Sequence, residues 1–365
     1  MTKRVLIIGG YGNFGSYIAK TLAKDDLQII IGGRSKIKCL DFIEGVDDFK
    51  HPLEYSIFDI TISIPFAEIT PDIVIHTSGP YQEQGYDVAK LCIEYGCHYI
   101  DLADGREFVA NIHKLDEKAK SSGVSVISGA SSVPCLSSAI IEKYKDEFEY
   151  LEEIEYGIAT AQQTNRGLAT TASILNYTGK PFKTLINGKM ETVYGWQDLS
   201  FHKYPEFGYR ALGNCEIPDL ELFPKIYPNL KTVRFYAGTE ITFLHIGLWL
   251  LSWFVRLRIF KSLRPAAKLF VNIANKFDWI GSSNSAFHMI LKGKGKENEN
   301  KSEKVYILAK EGDGPFIPCA PAIILARKIA FGLMEKSGAM PCVGLIDLDE
   351  YMSELKDLNI KLICE

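Results

Sequence analysis

Gly10, Gly12 and Gly15, spaced G-x-G-x-x-G directly after the apolar run Val5–Ile8, carry the plainest chemistry in the chain. The first permits a tight turn, the second lets backbone N–H groups approach a pyrophosphate, and the third lets a helix pack against a strand. The ligand implied is a dinucleotide. A nicotinamide dinucleotide carries hydride, and hydride transfer to a C=N or C=C bond needs a proton donor for the other end of that bond. Tyr81, in the loop Thr77-Ser-Gly-Pro-Tyr-Gln82, is the donor by position, with Asp101, Asp104 and Asp116 as acids that a cleft can bring into range. Each has a plainer reading beside it: Tyr81 as a ring stacked on the nicotinamide, Asp116 as a carboxylate answering a helix macrodipole. Cys135 starts a helix, where a thiol pKa can fall, but no histidine lies near it in sequence and a buried thiol is the simpler reading. His76 ends a strand and reads as a packing or hydrogen-bonding residue.

The elements that must position these residues follow from periodicity. Val5–Ile8 is a strand buried on both faces, and Ser16–Ala23 continues with helical spacing. Gly9, Gly10, Tyr11, Gly12, Asn13, Phe14 and Gly15 form the turn between them and are the expected pyrophosphate contacts. Leu27–Ile31 is a second strand, followed by Gly32-Gly-Arg-Ser-Lys-Ile-Lys38 where the ribose should arrive. An NAD site places Asp or Glu about 20 residues past the glycines, whereas Arg suits a 2′-phosphate. Arg34 holds that slot with Ser35 beside it, and Asp25 and Asp26 precede the strand, so NADP(H) is expected over NAD(H); the alternative is a merely solvated basic turn. Residues 53–58 read as a third strand, ending at Asp59, which could reach the adenine amine. Asp72–His76 is the fourth, and Ser78, Gly79 and Pro80 at its carboxyl end should face the nicotinamide. A helix over Asp87–Tyr95, a strand over Cys97–Leu102, a helix over Phe108–Ser122 and a strand over Val124–Ile127 complete a β-α alternation. The fold class is α/β: an N-terminal Rossmann doubly wound parallel sheet over residues 1–134.

Beyond it, residues 135–319 read as an α+β domain with a largely antiparallel sheet, for substrate binding or dimerisation. Strands are expected at Glu153–Ala161, Thr232–Thr242, Ala286–Leu291 and Lys304–Lys310, and Asn187-Gly188 marks a hairpin. The polar tract Lys292–Glu303 reads as an exposed hairpin loop. Ile241–Val255 runs fifteen residues without charge and Arg256, Arg258, Lys261, Arg264 and Lys268 follow. That is short of the ~20 residues of a membrane span. His245, Ser252 and Arg256 fall at helical spacing and give it a thin polar stripe, so it reads as a helix wet on that one side: a core or homodimer-interface helix, or else 241–268 makes peripheral contact with anionic lipid.

Of 365 residues, 47% are hydrophobic and 24% charged, which fits a globular chain, and the net charge of −4 offers no basic field for nucleic acid. The eight cysteines show no C-x-x-C and no zinc spacing, so they read as reduced thiols with no metal site. No signal peptide is apparent, and a cytoplasmic location is expected.

At Thr77-Ser-Gly-Pro-Tyr81, Gly96-Cys-His-Tyr-Ile-Asp-Leu102 and Gly129-Ala-Ser-Ser-Val-Pro134, together with the N-terminal glycines, the chain resembles the saccharopine dehydrogenase/reductase-like family. Asp313-Gly-Pro-Phe-Ile-Pro318 and Gly338-Ala-Met-Pro-Cys-Val-Gly344 are similar to family segments near the C-terminus. The resemblance implies that C-terminal residues 320–365 return to the Rossmann domain. It also implies that Tyr81 matches the family's Pro-Tyr loop and Asp116 its acid before the sixth strand. The chain departs at Val133-Pro-Cys135 and at Asp101-Leu-Ala-Asp104, where an amino-acid substrate would sit. The expected protein is an NADP(H)-dependent oxidoreductase acting on a CH–NH or C=C group of a small metabolite, the substrate lying between Ser78–Tyr81, Asp101–Asp104 and the second domain. The alternative is a catalytically silent NADP(H)-binding, membrane-peripheral sensor or scaffold.

Overall fold

A computed structural model describes residues 2–164 and 167–365. It divides into two compact units, residues 1–139 with 316–346 and residues 140–315 with 347–365.

In the first unit, β1 (Lys3–Ile8), β2 (Leu27–Gly33), β3 (Glu54–Ile57), β4 (Ile73–His76), β5 (His98–Asp101) and β6 (Ser125–Ser128) join a returning strand, Gly338–Pro341. The order is returning strand, β6, β5, β4, β1, β2, β3, and every pair is parallel. Val5 to Ile8 are all buried, as a strand covered on both faces requires. Helix α1 (Asn13–Leu22) turns Gly15, Ile18, Ala19 and Leu22 inward, a spacing that puts them on one face. The strand order reverses at β1 and β4, so the loops leaving their carboxyl ends flank the crevice where such sheets take ligands.

The helix expected over Phe108–Ser122 is instead three short turns, Arg106–Ala110, Ile112–Leu115 and Asp116–Ser121. Asn111 interrupts it by turning its side chain back to the Glu107 carbonyl at 2.9 Å, a local bond that competes with helix continuation. The C-terminal return is also shorter than 320–365. Residues 316–346 count with the first unit, where Phe316 stacks on Tyr17 and Arg327 pairs with Asp25 at 2.7 Å. The remainder, with helix Leu348–Glu354 and strand Ile360–Cys364, counts with the second.

In the second unit, β7 (Tyr150–Thr160), the hairpin β8 (Pro181–Ile186) and β9 (Lys189–Tyr194), β10 (Ser200–Tyr204), β11 (Gly208–Asn214), β12 (Thr232–Thr239), β13 (Ser285–Lys294) and β14 (Asn300–Ala309) follow in chain order. The main sheet runs β10, β11, β12, β7, β13, β14 and the C-terminal strand, with β12 and β7 parallel and the other neighbours antiparallel. Asn187 and Gly188, at φ 49° and 77°, make the β8–β9 turn with the left-handed backbone that a two-residue hairpin needs. The tract 292–303 is not a loop. Pairing continues from Lys292 opposite Ser302 to Lys294 opposite Asn300, leaving only residues 295–299 as the connection. Backbone pairing tolerates polar side chains there because ion pairs such as Lys301 with Glu147, at 2.8 Å, hold them at the surface.

The apolar segment forms a helix, Thr242–Arg256, with much of its expected orientation reversed. Two of the three residues of the stripe predicted to be wet face inward: His245 and Ser252 are fully buried and Arg256 is exposed, as are Phe243, Leu250, Trp253 and Phe254. Ser252 meets its hydrogen-bonding need within the helix, donating to the Trp249 carbonyl at 2.6 Å. His245 packs against Trp196, and burial lowers its pKa to about 4, so it enters the interior neutral.

Candidate active site

At the carboxyl end of β1, the Gly9 N–H donates to Gly32 O at 2.8 Å and the Gly12 N–H to Gly9 O at 2.8 Å. The left-handed residue is Gly9, at φ 80°, rather than Gly10. A Cβ on Gly15 would lie 2.3 Å from Gly9 O, so this glycine is what lets α1 approach the turn. Gly12 caps α1 without a side-chain acceptor, and the first turn, through Asn13 and Phe14, carries no acidic residue. That is the electropositive helix end that an anion requires, and its residues fit a pyrophosphate.

At the end of β2, Tyr11 lies against Gly33, where a Cβ would meet its ring at 2.3 Å. Its hydroxyl accepts the N–H groups of Arg34 and Ser35 at 3.1 and 3.3 Å. Ser35 caps helix α2 (Lys36–Glu44), accepting from the Lys38 N–H. The Arg34 side chain is 80% exposed and 3.9 Å from Asp59. Asp59 accepts the Thr61 N–H and hydroxyl, and these bonds, with Arg34, hold its pKa below the usual carboxylate range. Arg34 is therefore free to swing onto a 2′-phosphate, with Asp59 as its competitor.

At the end of β4, Thr77 donates to Ile8 O at 2.8 Å, and Gln84 clamps the loop by donating to the carbonyls of Ser78 and Pro80 at 2.7 and 3.1 Å. Ser78 and Pro80 are half-buried and Gly79 is exposed, so this loop presents backbone at the crevice. Tyr81 turns away from it. Its hydroxyl donates to the His76 carbonyl at 2.7 Å, its ring lies against Phe108, and the residue is 5% exposed. Burial, with Asp101 and Asp104 nearby, pushes its pKa well up. Tyr81 thus braces the strand end in this structure, with its hydroxyl turned from the crevice that the proton-donor reading requires it to face. Tyr81→Phe should cost about 1 kcal/mol of stability, the worth of one hydrogen bond, measurable by urea unfolding.

Asp116 lies apart from this loop. It accepts the Ala339 N–H at 3.0 Å and pairs with Lys120 at 2.6 Å, pinning the returning strand where it starts beside Ser125. That is the amino end of the sheet, opposite the ligand-binding end. Asp104 is at the carboxyl end, exposed, and accepts from Gln82 Nε2 at 3.2 Å. Cys135 is buried in the turn Ser132–Leu136, inaccessible as a nucleophile. Among the described residues no three His, Cys, Asp or Glu side chains gather as a metal site.

The structure brings together a group that the sequence reading did not. His76 and Asp101 end neighbouring strands in register, and Tyr99, two residues before Asp101, places its hydroxyl 3.1 Å from His76 Nδ1. Asp101 Oδ1 accepts from Ala103 N, Ser128 Oγ and Gly129 N at 2.8 to 2.9 Å. Its Oδ2 and His76 Nε2 are buried without a hydrogen-bond partner. Burial raises Asp101 to about 6 and lowers His76 to about 4. Asp101 thus keeps its proton to a higher pH than an exposed carboxyl does, at the carboxyl end of β5 and in register with the end of β4. The sequence signal was the polar residue closing each apolar strand, His76 after Ile75 and Asp101 after Ile100.

Residues 5–127 match the family model "Saccharopine dehydrogenase NADP binding domain". The chain is 28% identical over 149 residues to the saccharopine dehydrogenase-like oxidoreductase of Mus musculus, covering 36% of this chain and 35% of that protein. It is 26% identical over 248 residues to the protein of the same name from Homo sapiens, covering 62% and 52%. The matches thus span about half or less of those relatives. In fold, the chain superposes on apo saccharopine dehydrogenase (L-Glu forming) from Saccharomyces cerevisiae with a TM-score of 0.71 at 14% identity, covering 100% of both chains. An amine dehydrogenase from Mycobacterium smegmatis matches at 0.51 and 11% identity, covering 94% and 95%. The likeness to the saccharopine dehydrogenase NADP-binding domain thus rests on residues 5–127, and the solved structures support the fold alone over the rest of the chain.

Proposed function

We propose that this protein is an NADP(H)-dependent oxidoreductase acting on a CH–NH, or a C=C, group of a small metabolite. The observation that carries the reading is the uncapped, acid-free end of α1 behind the Gly9–Gly15 turn, within the segment that matches an NADP-binding domain. NADP(H) supplies hydride when bound. The chain's residues hold its pyrophosphate at Gly10–Gly15, meet the 2′-phosphate with Arg34 and Ser35, and flank the nicotinamide with the Ser78–Pro80 backbone. Asp101, buried at the end of β5 with its pKa raised to about 6, can give up a proton as pH rises through that value, and Asp104, whose pKa desolvation also raises, follows it in the loop. The silent-sensor alternative is not favoured, since the relatives are named oxidoreductases.

Arg34→Ala should weaken NADPH binding by roughly 10- to 100-fold, the worth of a charge-assisted hydrogen bond, and leave NADH binding unchanged. Titration of both cofactors by tryptophan quenching reads this; a variant that keeps the wild-type preference removes Arg34 from the site. The reaction itself is tested by NADPH oxidation with imino acids formed from 2-oxo acids and amines, and with enoyl thioesters. Cofactor-saturated protein that turns over neither class would overturn the enzymatic reading.

A further inference from the structure

The second unit carries an apolar face that its own chain leaves open. Helices Leu168–Tyr177, Thr242–Arg256 and Ala267–Asn275 contribute to one cluster, in which Leu175, Val255, Leu263 and Ala267 are buried. Outside that cluster, Phe243, Leu250, Trp253 and Phe254 stand in solvent. The chain beyond continues the face with Leu257, Phe260, Leu269 and Trp279, the last 80% exposed. Ring contacts tie it together, Phe254 with Phe260 at 5.9 Å and Phe243 with Phe277 at 5.1 Å. A helix in a globular protein buries its large apolar residues and exposes its polar ones. This one buries His245 and Ser252 and exposes tryptophan and phenylalanine, an arrangement suited to surroundings that are not water alone.

Charge selects the occupant. Residues 241–280 hold six basic side chains, Arg256, Arg258, Lys261, Arg264, Lys268 and Lys276, and one acid, Asp278, within a chain of net charge −4. Asp278 is occupied by Gln162 Nε2 at 3.0 Å. A second copy docked face to face would set these cations against one another. An anionic lipid surface satisfies both features at once, because apolar side chains enter the boundary between headgroup and acyl chain while Lys and Arg meet phosphates. No helix among the described residues is long and apolar enough to cross a membrane, so this face would lie in the plane of the surface. A recess of about 450 Å³ shares Trp253 and Arg256 with it and is lined also by Tyr194, Trp249, Asn214 and Asp198. The Arg256 guanidinium lies over Tyr194 at 3.9 Å and donates to Gln197 at 2.6 Å, which fixes one cation where a headgroup would enter. Asp198 is itself paired with Arg234.

We propose that the surface formed by 241–280 binds the protein peripherally to membranes containing anionic phospholipid. The full-length chain should float with phosphatidylcholine vesicles that contain phosphatidylserine, float poorly with phosphatidylcholine alone, and detach in high salt. Arg258→Ala with Lys261→Ala should weaken binding roughly 30-fold, since each cation near such a surface is worth about fivefold. Leu257→Glu with Phe260→Glu should lower it at least as far, and because these side chains are exposed both variants should melt as the wild type does. Free inorganic phosphate should not displace the vesicles. Three outcomes overturn the proposal: equal binding to neutral and anionic vesicles, no binding to either, or light scattering that shows a dimer which the Leu257→Glu, Phe260→Glu variant converts to monomer.

Discussion

Gly12→Val should abolish NADPH binding, weakening it by more than about 100-fold, or about 2.7 kcal/mol, while leaving the fold intact. Space at the position is the reason. A Cβ on Gly12 meets only Gly9 O, at 3.1 Å, and the backbone there is extended, at φ −79° and ψ 175°, which valine adopts readily. The branched side chain would then stand at the cap of α1, in the space through which a phosphate must approach the helix end. Gly15→Ala makes the contrast. Its Cβ would fall 2.3 Å from Gly9 O and 2.9 Å from Gly10 Cα, both backbone, so the turn and helix must separate and thermal stability should fall with binding. Fluorescence titration with NADPH alongside thermal unfolding separates the two effects. A Gly12→Val protein that binds NADPH as the wild type does would remove the pyrophosphate from this turn.

The parallel sheet was legible because its signals are local. Four apolar residues before a glycine turn, repeated with helical spacing between, specify β-α units whatever lies elsewhere, and Val5–Ile8, Leu27–Ile31 and Asp72–His76 are strands within a residue or two of expectation. Orientation was less legible. The stripe His245, Ser252 and Arg256 defines a face but does not say whether that face meets protein or water, and tertiary packing turned His245 and Ser252 inward while Arg256 stayed exposed. The direction of Tyr81 was hidden for a similar reason: a loop at the right strand end does not fix the direction of a side chain, and the His76 carbonyl holds its hydroxyl. The His76–Tyr99–Asp101 group was hidden because it is made by register across β4 and β5, which sequence spacing does not display.

That group should give two variants with opposite pH dependence of stability. Asp101 has its pKa raised by burial from 3.8 to about 6, so the stability it contributes is present below pH 3.8 and lost as pH rises through 6. His76 has its pKa lowered by burial from 6.5 to about 4, so its contribution is present above pH 6.5 and lost as pH falls through 4. Between pH 4 and 6 the two slopes, each about 1.4 kcal/mol per pH unit, oppose each other in the wild type. Replacing one partner exposes the other. The stability of wild type relative to His76→Gln should rise by about 3 kcal/mol from pH 4 to 6.5, and relative to Asp101→Asn it should fall by a similar amount from pH 4 to 6. Other buried histidines such as His245 are common to all three proteins and cancel in these differences. Urea unfolding across that range measures both. Flat differences would mean that both side chains titrate in the native state as they do in the unfolded one, so that burial shifts neither, and Asp101 would lose its place in the candidate site. Opposite slopes would show a carboxyl and an imidazole kept mutually neutral one strand apart, the state in which Asp101 can still give up a proton near pH 6.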